Sequence, residues 1–547
     1  RYWGLALPIW VCEECDHFDV IGSEVELRDR AIEGWDEFEG NTPHRPYIDH
    51  VKIACEKCGG TASRIPDVGN PWLDAGIVAL STLNYRHDRE YWRKWYPADM
   101  ISESFPGQFR NWFYALLTES TVVTDEKPTR NIFTYALMRD EKGEEMHKSK
   151  GNAIWFDDAA EEVGVDVMRW LFATVTPSSN LNFGYHTTDE VRRRFILPLW
   201  NSYAFLANYA RLDGWTPDQQ PAPGDRTLLD RWLLSRVNQV AGYARERIDA
   251  YDPTGAAREL EHFIVEELSN WYIRRNRRRF WKPESDADKT AAYATLYEAL
   301  TTTIRMLAPF VPFITEEIYQ NLVVRVQPDA PASVHLTDYP EPNEEMIDEA
   351  LSREMTAVLR VVRLGRAARS EANLKVRQPL PAVLVHTADP RDAEAVVHLK
   401  DQILDELNVK DVRALEELSD VVTWEIKPNL PVLGPKYGRK LGGIRKALGA
   451  LDATEVATKV NAGEAVSLGE IDGDEVVLEP SDILVSLTRR EGFAAAQGEG
   501  ATVALDTDLT PELVREGMAR DFVRGVQDAR KRLNLRMEQT IQLSWSA

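Results

Sequence analysis

Two pairs of cysteines, Cys12-Glu13-Glu14-Cys15 and Cys55-Glu56-Lys57-Cys58, hold all the thiols of the chain. A C-x-x-C spacing lets one turn aim two thiolates at a common point. Four thiolates then close a tetrahedral shell around zinc and leave no open position for chemistry. The doubled spacing predicts a structural zinc held by Cys12, Cys15, Cys55 and Cys58, with two disulfides or a redox pair as the alternatives.

A second cluster is basic. In Met138–Asn152 a strand runs into a turn at Asp140–Gly143, and a loop then presents Lys148 and Lys150 ahead of a helix near Asp157. Ammonium groups on a mobile loop can close over a triphosphate and neutralise charge that develops as pyrophosphate leaves. A lysine-rich surface loop is the plain alternative. A third cluster lies in Leu268–Trp281, where five arginines interleave with four aromatics and no acid intervenes from Asn270 to Trp281. That mixture can hold phosphates and stack bases. It also suits an amphipathic helix whose aromatics are core and whose arginines are solvated.

The elements that must position these groups change character along the chain. Residues 1 to about 190 mix short apolar runs such as Ile132–Leu137 with short helices, as in an α/β domain. From 191 to 326 the period becomes helical. Leu229, Leu233, Val237, Val240, Ala244 and Ile248 form one stripe, Leu260, Phe263, Ile264 and Leu268 a second, and Leu296, Leu300, Ile304 and Leu307 a third. The stripes predict a helical bundle. A proline-rich stretch from 327 to 343 marks a connector, and 344–547 reads as a small α/β region. Within it Arg360, Arg363, Arg366 and Arg369 recur every third residue, a basic stripe for RNA or a solvated helix face.

At 547 residues the chain needs several cores. A formal charge of -23 argues against indiscriminate nucleic-acid binding and confines any RNA contact to local basic patches. No run of eighteen apolar residues occurs, and Arg1 opens neither an initiator nor a signal pattern. The expectation is a soluble, cytoplasmic, monomeric protein with no membrane partner, whose true N-terminus lies upstream.

The loop Glu145–Asn152 resembles the Lys-Met-Ser-Lys-Ser signature of the class I aminoacyl-tRNA synthetases. Met146, Lys148, Ser149, Gly151 and Asn152 agree with the extended pattern, while Glu145 stands for its first Lys and His147 for its first Ser. Glu103–Phe113 resembles the family's Glu-Gly-x-Asp-Gln-x-x-Gly-Trp-Phe segment, matching at Glu103, Gln108, Trp112 and Phe113, with Gly107 where the family has Asp. Asn70–Gly76 resembles its Val-Trp-Phe-Asp-Ser-Gly. Arg1–Trp10 is similar to the return from the editing insertion, and Asp166–Trp170 to the helix after the signature loop. Leu268–Trp281 with Ala308–Glu317 resembles the anticodon bundle of the isoleucyl, valyl, leucyl and methionyl enzymes. Segments 374–380, 406–410, 433–438 and 516–520 resemble the isoleucyl C-terminal region.

The resemblance implies a multidomain protein. Residues 1–190 would be the second half of a Rossmann-like catalytic domain, with a zinc insertion at about 10–66 and the signature loop at 145–152. An all-α anticodon-binding bundle would follow at 191–326, then a C-terminal tRNA-contacting region at 344–547. It implies ATP-dependent attachment of isoleucine to its tRNA through an adenylate, with ATP and magnesium as substrate. Lys148 would be catalytic. Glu103, Gln108, Lys148, Ser149 and Lys150 would hold the nucleotide, and Trp72 and Trp112 would wall the side-chain pocket. Trp271, Arg274, Arg275, Arg278, Arg279 and Trp281 would meet tRNA. A valyl enzyme and a non-catalytic tRNA-binding scaffold are the rivals. No His-x-Gly-His signature or threonine-rich editing domain occurs in these 547 residues, so the chain alone is expected to be an incomplete catalytic unit.

Overall fold

In the computed structural model of the chain, the described residues are 4–222, 224–415, 422–489, 492–536 and 539–544. Arg1, Tyr2 and Trp3 of the expected return segment lie outside them. The chain divides into two compact units, 1–344 and 345–547.

The first unit begins with an antiparallel sheet of β1 (Ile9–Cys12), β2 (Phe18–Val20), β3 (Ala31–Glu33), β4 (Lys52–Ala54) and β5 (Thr61–Arg64), in the order β2-β1-β5-β4-β3. Alternation along β1 sends Trp10 and Cys12 inward. Trp10 packs among Leu27, Phe38, Val51 and Ile53, and its indole N–H donates to the Val51 carbonyl at 2.8 Å. Arg64 ties the sheet to the chain around it, bonding Asp49 and the carbonyls of Leu7 and Asp67.

A parallel pair follows, β6 (Ala98–Ser104) and β7 (Thr129–Tyr135). Parallel strands need a crossover, and helix Trp112–Thr124 supplies it, ending where Asp125 turns left-handed at φ 56°. Next come β8 (Met138–Asp140) and β9 (Leu181–Phe183), also parallel, with the lysine loop and helices Phe156–Glu162 and Val165–Thr174 between them.

The bundle comprises helices Leu197–Asp213, Leu228–Asp249, Pro253–His262, Arg274–Trp281, Asp286–Leu307 and Pro312–Tyr319, with a π-helical passage, Phe263–Ile273, in the middle. The three expected stripes are buried, except that Ile248 is only half-buried. Two motifs singled out separately meet here. Asp166 accepts from the N–H groups of Phe313 and Ile314, and Arg169 donates to the carbonyls of Pro309 and Phe310.

In the second unit, helix Glu349–Glu371 packs on a four-stranded sheet, β11-β10-β17-β16. Its strands are β10 (Val383–Thr387), β11 (Val412–Ala414), β16 (Phe493–Gly498) and β17 (Ala501–Asp506). Between β11 and β16 the chain inserts a module with its own core. It stands on a ribbon of β12 (Val422–Pro428) and β15 (Ile483–Arg489), and contains three short helices and the hairpin of β13 (Val466–Ile471) and β14 (Asp474–Leu478).

The expected arginine stripe of this unit is not a free basic face. Arg360 pairs with Asp392, Arg363 with Glu499 and Arg366 with Glu406. Arg369 is 1% exposed and donates to the carbonyls of Lys375, Gln378, Leu407 and Asn408. A three-residue spacing drifts around a helix, so these arginines meet sheet, neighbouring helices and core in turn. No described helix is long and apolar enough to cross a membrane.

Candidate active site, metal centre and RNA-facing helix

The lysine loop is pinned at its base and open at its tip. The Asp140 carboxylate accepts from the N–H groups of Lys142 and Glu144, and from the Asn152 amide at 2.9 Å. The same amide donates to the Glu145 carbonyl, while its oxygen accepts from the His147 N–H at 2.9 Å. Asn152 thereby closes residues 145–151 into a ring. The Asn152 bond is also the first reason the Asp140 carboxyl is held below the usual carboxylate range. Beyond the clamp, Lys148–Lys150 forms one exposed 3-10 turn, and Lys148 Nζ lies 4.3 Å from the centroid of the Trp155 ring. Ser149 and Lys150 stand in the same turn.

Glu103 sits near the end of β6, opposite Thr134 of β7. Its carboxylate accepts from the Ser104 N–H at 2.8 Å and the Tyr135 hydroxyl at 3.2 Å. Burial, and then Glu103, pushes the Tyr135 phenol above its ordinary value. The Gln108 side-chain oxygen accepts from the Trp112 N–H, capping the crossover helix. Trp112 in turn donates its indole N–H to the Ala75 carbonyl of helix Pro71–Gly76, which carries Trp72. The two helices press together at Gly76, where an added Cβ would stand 2.9 Å from Ala115. Trp72 and Trp112 thus sit on paired helices, half-buried or just exposed.

Among the described residues no hydrogen bond or ion pair links Lys148 to Glu103 or Gln108. A cleft of about 690 Å³ along β7, bounded by Phe105, Tyr135, Thr176 and Tyr251, is not lined by either tryptophan. The roles of Asn152 as a clamp and Trp155 as a platform were not foreseen. The Asx pattern at Asp140, two residues before Lys142, is the signal that was available for the former.

The four cysteines converge. Their sulfurs all lie within 4.8 Å of one another, with Cys12 and Cys58 at 3.5 Å and Cys15 and Cys55 at 3.8 Å. Bonds of about 2.3 Å to a central zinc would set tetrahedral S···S edges at about 3.8 Å, so the donor set fits that ion. No disulfide joins them in this structure. Each C-x-x-C turn also offers a thiolate a backbone N–H: Glu14 to Cys12 and Gly60 to Cys58, both at 3.4 Å.

Helix Arg274–Trp281 sorts the arginines by phase. Arg274, Arg277, Arg278 and Trp281 are exposed and follow i, i+3, i+4, i+7, with Lys282 next. The expectation for Trp271 needs correction. It is 3% exposed, a core residue with Arg275 over its ring at 5.3 Å, and no base can stack on it in this packing. Arg279 faces inward too. It makes a two-pronged bond to Asp230, at 2.7 and 2.9 Å, and reaches Asp288 at 2.7 Å; Asp230 is fully buried and also accepts from Tyr272. Arg277, passed over in the sequence, takes its place on the outer face, near Phe205.

Comparison with known proteins bears on these arrangements. The family of tRNA synthetases class I (I, L, M and V) matches residues 1–184, and the anticodon-binding domain of tRNA ligase matches residues 230–384. The chain belongs to the class I aminoacyl-tRNA synthetases.

Within that family it is 41% identical over 550 residues to an isoleucine–tRNA ligase of Thermus thermophilus, covering 100% of this chain and 52% of that one. The isoleucine–tRNA ligases of Clostridium novyi and Streptomyces coelicolor are 41% and 40% identical over 99% and 100% of this chain. The chain spans about half the length of the curated relatives it matches. The class I match encloses β6 to β9 with the lysine loop, and the anticodon match encloses Arg274–Trp281. The inserted module, 422–489, lies beyond both.

Proposed function

We propose that the complete protein joins isoleucine to its tRNA in two steps. The amino-acid carboxylate attacks the α-phosphorus of magnesium-bound ATP, forming isoleucyl-adenylate as the bond to pyrophosphate breaks. The terminal ribose hydroxyl of the tRNA then takes the acyl group and releases AMP. One observation carries this reading: similarity to isoleucine–tRNA ligases extends over the whole chain, residues 345–547 included.

Residues 1–190 act here as the second half of the catalytic domain. Lys148 swings from its resting place to neutralise the departing phosphates, with Ser149 and Lys150 beside it, in a site where positioning and charge do the catalysis. Glu103 and Gln108 border the adenylate. Trp72 and Trp112 present indole faces to a branched aliphatic side chain, which apolar area alone distinguishes from polar competitors. Cys12, Cys15, Cys55 and Cys58 hold zinc, which supplies a cross-link for the first sheet. Arg274, Arg277, Arg278 and Trp281 face the tRNA.

The test is pyrophosphate exchange by the complete protein with isoleucine, valine, leucine and methionine in turn. Isoleucine is expected to give the highest kcat/KM. Exchange driven best by valine would replace the assignment with a valyl enzyme, and no exchange with any of them would leave a non-catalytic RNA-binding protein.

A further inference from the structure

One long stretch of the inserted module is free of acid. From Ile426 to Leu451 there is no acidic residue, in a chain holding 88 of them, and six basic ones occur: Lys427, Lys436, Arg439, Lys440, Arg445 and Lys446. Three are neutralised within the module, Lys427 by Glu425, Lys436 by Asp482 and Lys440 by Asp474. Arg439, Arg445 and Lys446 are exposed and have no ion pair among the described residues. The contrast with helix Glu349–Glu371 is direct, since there Arg360, Arg363 and Arg366 each hold a carboxylate.

The backbone beneath these cations is bare. Helix Leu441–Leu448 turns Ile444 and Leu448 into the core of the module. Its opposite face reads Gly442, Arg445, Lys446, Gly449 at i, i+3, i+4, i+7. A Cβ at Gly442 or at Gly438, which flanks Arg439, would meet nothing within 4 Å, so open space lies over the helix and the turn before it. Gly443, by contrast, lies against Ile471 of the hairpin, where a Cβ would come within 2.5 Å. One side of the helix is thus locked to the hairpin. The other offers two glycines between long cations, where a nucleic-acid strand can approach the backbone closely.

We propose that Arg439, Arg445 and Lys446 form a phosphate-binding face for the backbone of the tRNA, carried by the inserted module rather than by the bundle. Long-range attraction of RNA to a chain of net charge -23 is unfavourable, so binding depends on local faces of this kind. Phosphate contacts fix register without reading sequence, and this face supplies guanidinium and ammonium groups with no base-stacking aromatic among them. The proposal rests on tRNA being the partner of the complete protein.

The test uses the complete protein and the variant R439Q/R445Q/K446Q. Binding of isoleucine tRNA is titrated between 50 and 200 mM salt, roughly the range over which phosphate contacts dominate, and isoleucine-dependent pyrophosphate exchange is measured on the same preparations. The variant is expected to bind about tenfold more weakly at low salt and to lose about three units from the slope of log K against log salt, as three phosphate contacts imply. Exchange, which needs no tRNA, should match the parent. R439K/R445K should keep parental affinity and slope, because charge is what the face supplies. Parental affinity and slope in the triple variant would overturn the proposal, as would an equal loss in R439K/R445K. A parent that exchanges isoleucine but binds no tRNA would overturn it alone; a parent that does neither would overturn the underlying function.

Discussion

The ammonium of Lys148 rests over the indole of Trp155, 4.3 Å from the ring centroid, at the open end of a loop whose base Asn152 clamps to Asp140. An exposed contact of this kind is worth about 0.5–1 kcal/mol, enough to bias where the lysine waits and too little to stop it leaving. Trp155→Leu is therefore expected to change the pyrophosphate-exchange rate by no more than about fivefold, in either direction. Trp155 emission should change when ATP draws the lysine off the ring. An ATP titration that leaves the Trp155 signal, read by difference against Trp155→Leu, unaltered would show that the lysine does not move.

The clamp has a pH signature. Asp140 is held below the ordinary carboxylate range, first by the Asn152 amide and then by backbone N–H groups. A lowered folded value means that the ionised carboxylate favours the clamped loop. That contribution is complete above the ordinary carboxylate pKa and is lost as pH falls through the lowered one. Protection of the His147 amide, taken relative to its intrinsic exchange rate at each pH, should accordingly hold at neutral pH and fall only in acid. In Asn152→Ala that protection should be absent throughout, with a raised KM for ATP.

Zinc content is expected at one ion per chain in reduced protein. Cys55→Ser should remove it and loosen residues 9–64, because four thiolates are set for a closed tetrahedral site. Helix Leu228–Asp249, with its own core and caps, should remain folded in the same variant by hydrogen exchange. Freshly reduced protein without zinc would contradict the assignment.

The two kinds of arginine on helix Arg274–Trp281 should separate cleanly. Arg278→Ala is expected to weaken tRNA binding by about 1 kcal/mol and to flatten the salt dependence by about one unit, with stability unchanged. Arg279→Ala should instead destabilise the bundle by about 3–5 kcal/mol, since it strands the fully buried Asp230 without its cation. Thermal unfolding beside filter binding distinguishes them. Equal effects of the two substitutions would refute the phase assignment.

That pair also shows what the sequence could and could not disclose. The convergence of the four cysteines was legible because C-x-x-C encodes its geometry locally, and the bundle because its stripes repeat at the helical period. Residue type left Trp271 and Arg279 open between core and RNA, and the resemblance of the whole run assigned both to RNA. Their helical phase, seven positions and more along one continuous run, turns both inward and brings Arg277 out. The fully buried partner of Arg279 lies 49 residues away at Asp230, and no local pattern announces it. The arginines of Glu349–Glu371 stayed open between RNA and solvent for the same reason: Asp392, Glu406 and Glu499, which pair with Arg360, Arg366 and Arg363, come from distant elements. Asn152 was legible as a motif residue but not as a clamp, because its function depends on where the turn at Asp140 folds back.

The central claim is that Lys148 stabilises the phosphates leaving ATP in an isoleucine-activating enzyme. Isoleucine-dependent pyrophosphate exchange by the complete protein, parent against Lys148→Ala, tests it most directly. The variant is expected to lose roughly two to three decades of rate with its apparent affinity for isoleucine little changed, since the ammonium acts on charge that exists only in the transition state. An unchanged exchange rate in Lys148→Ala would contradict the account.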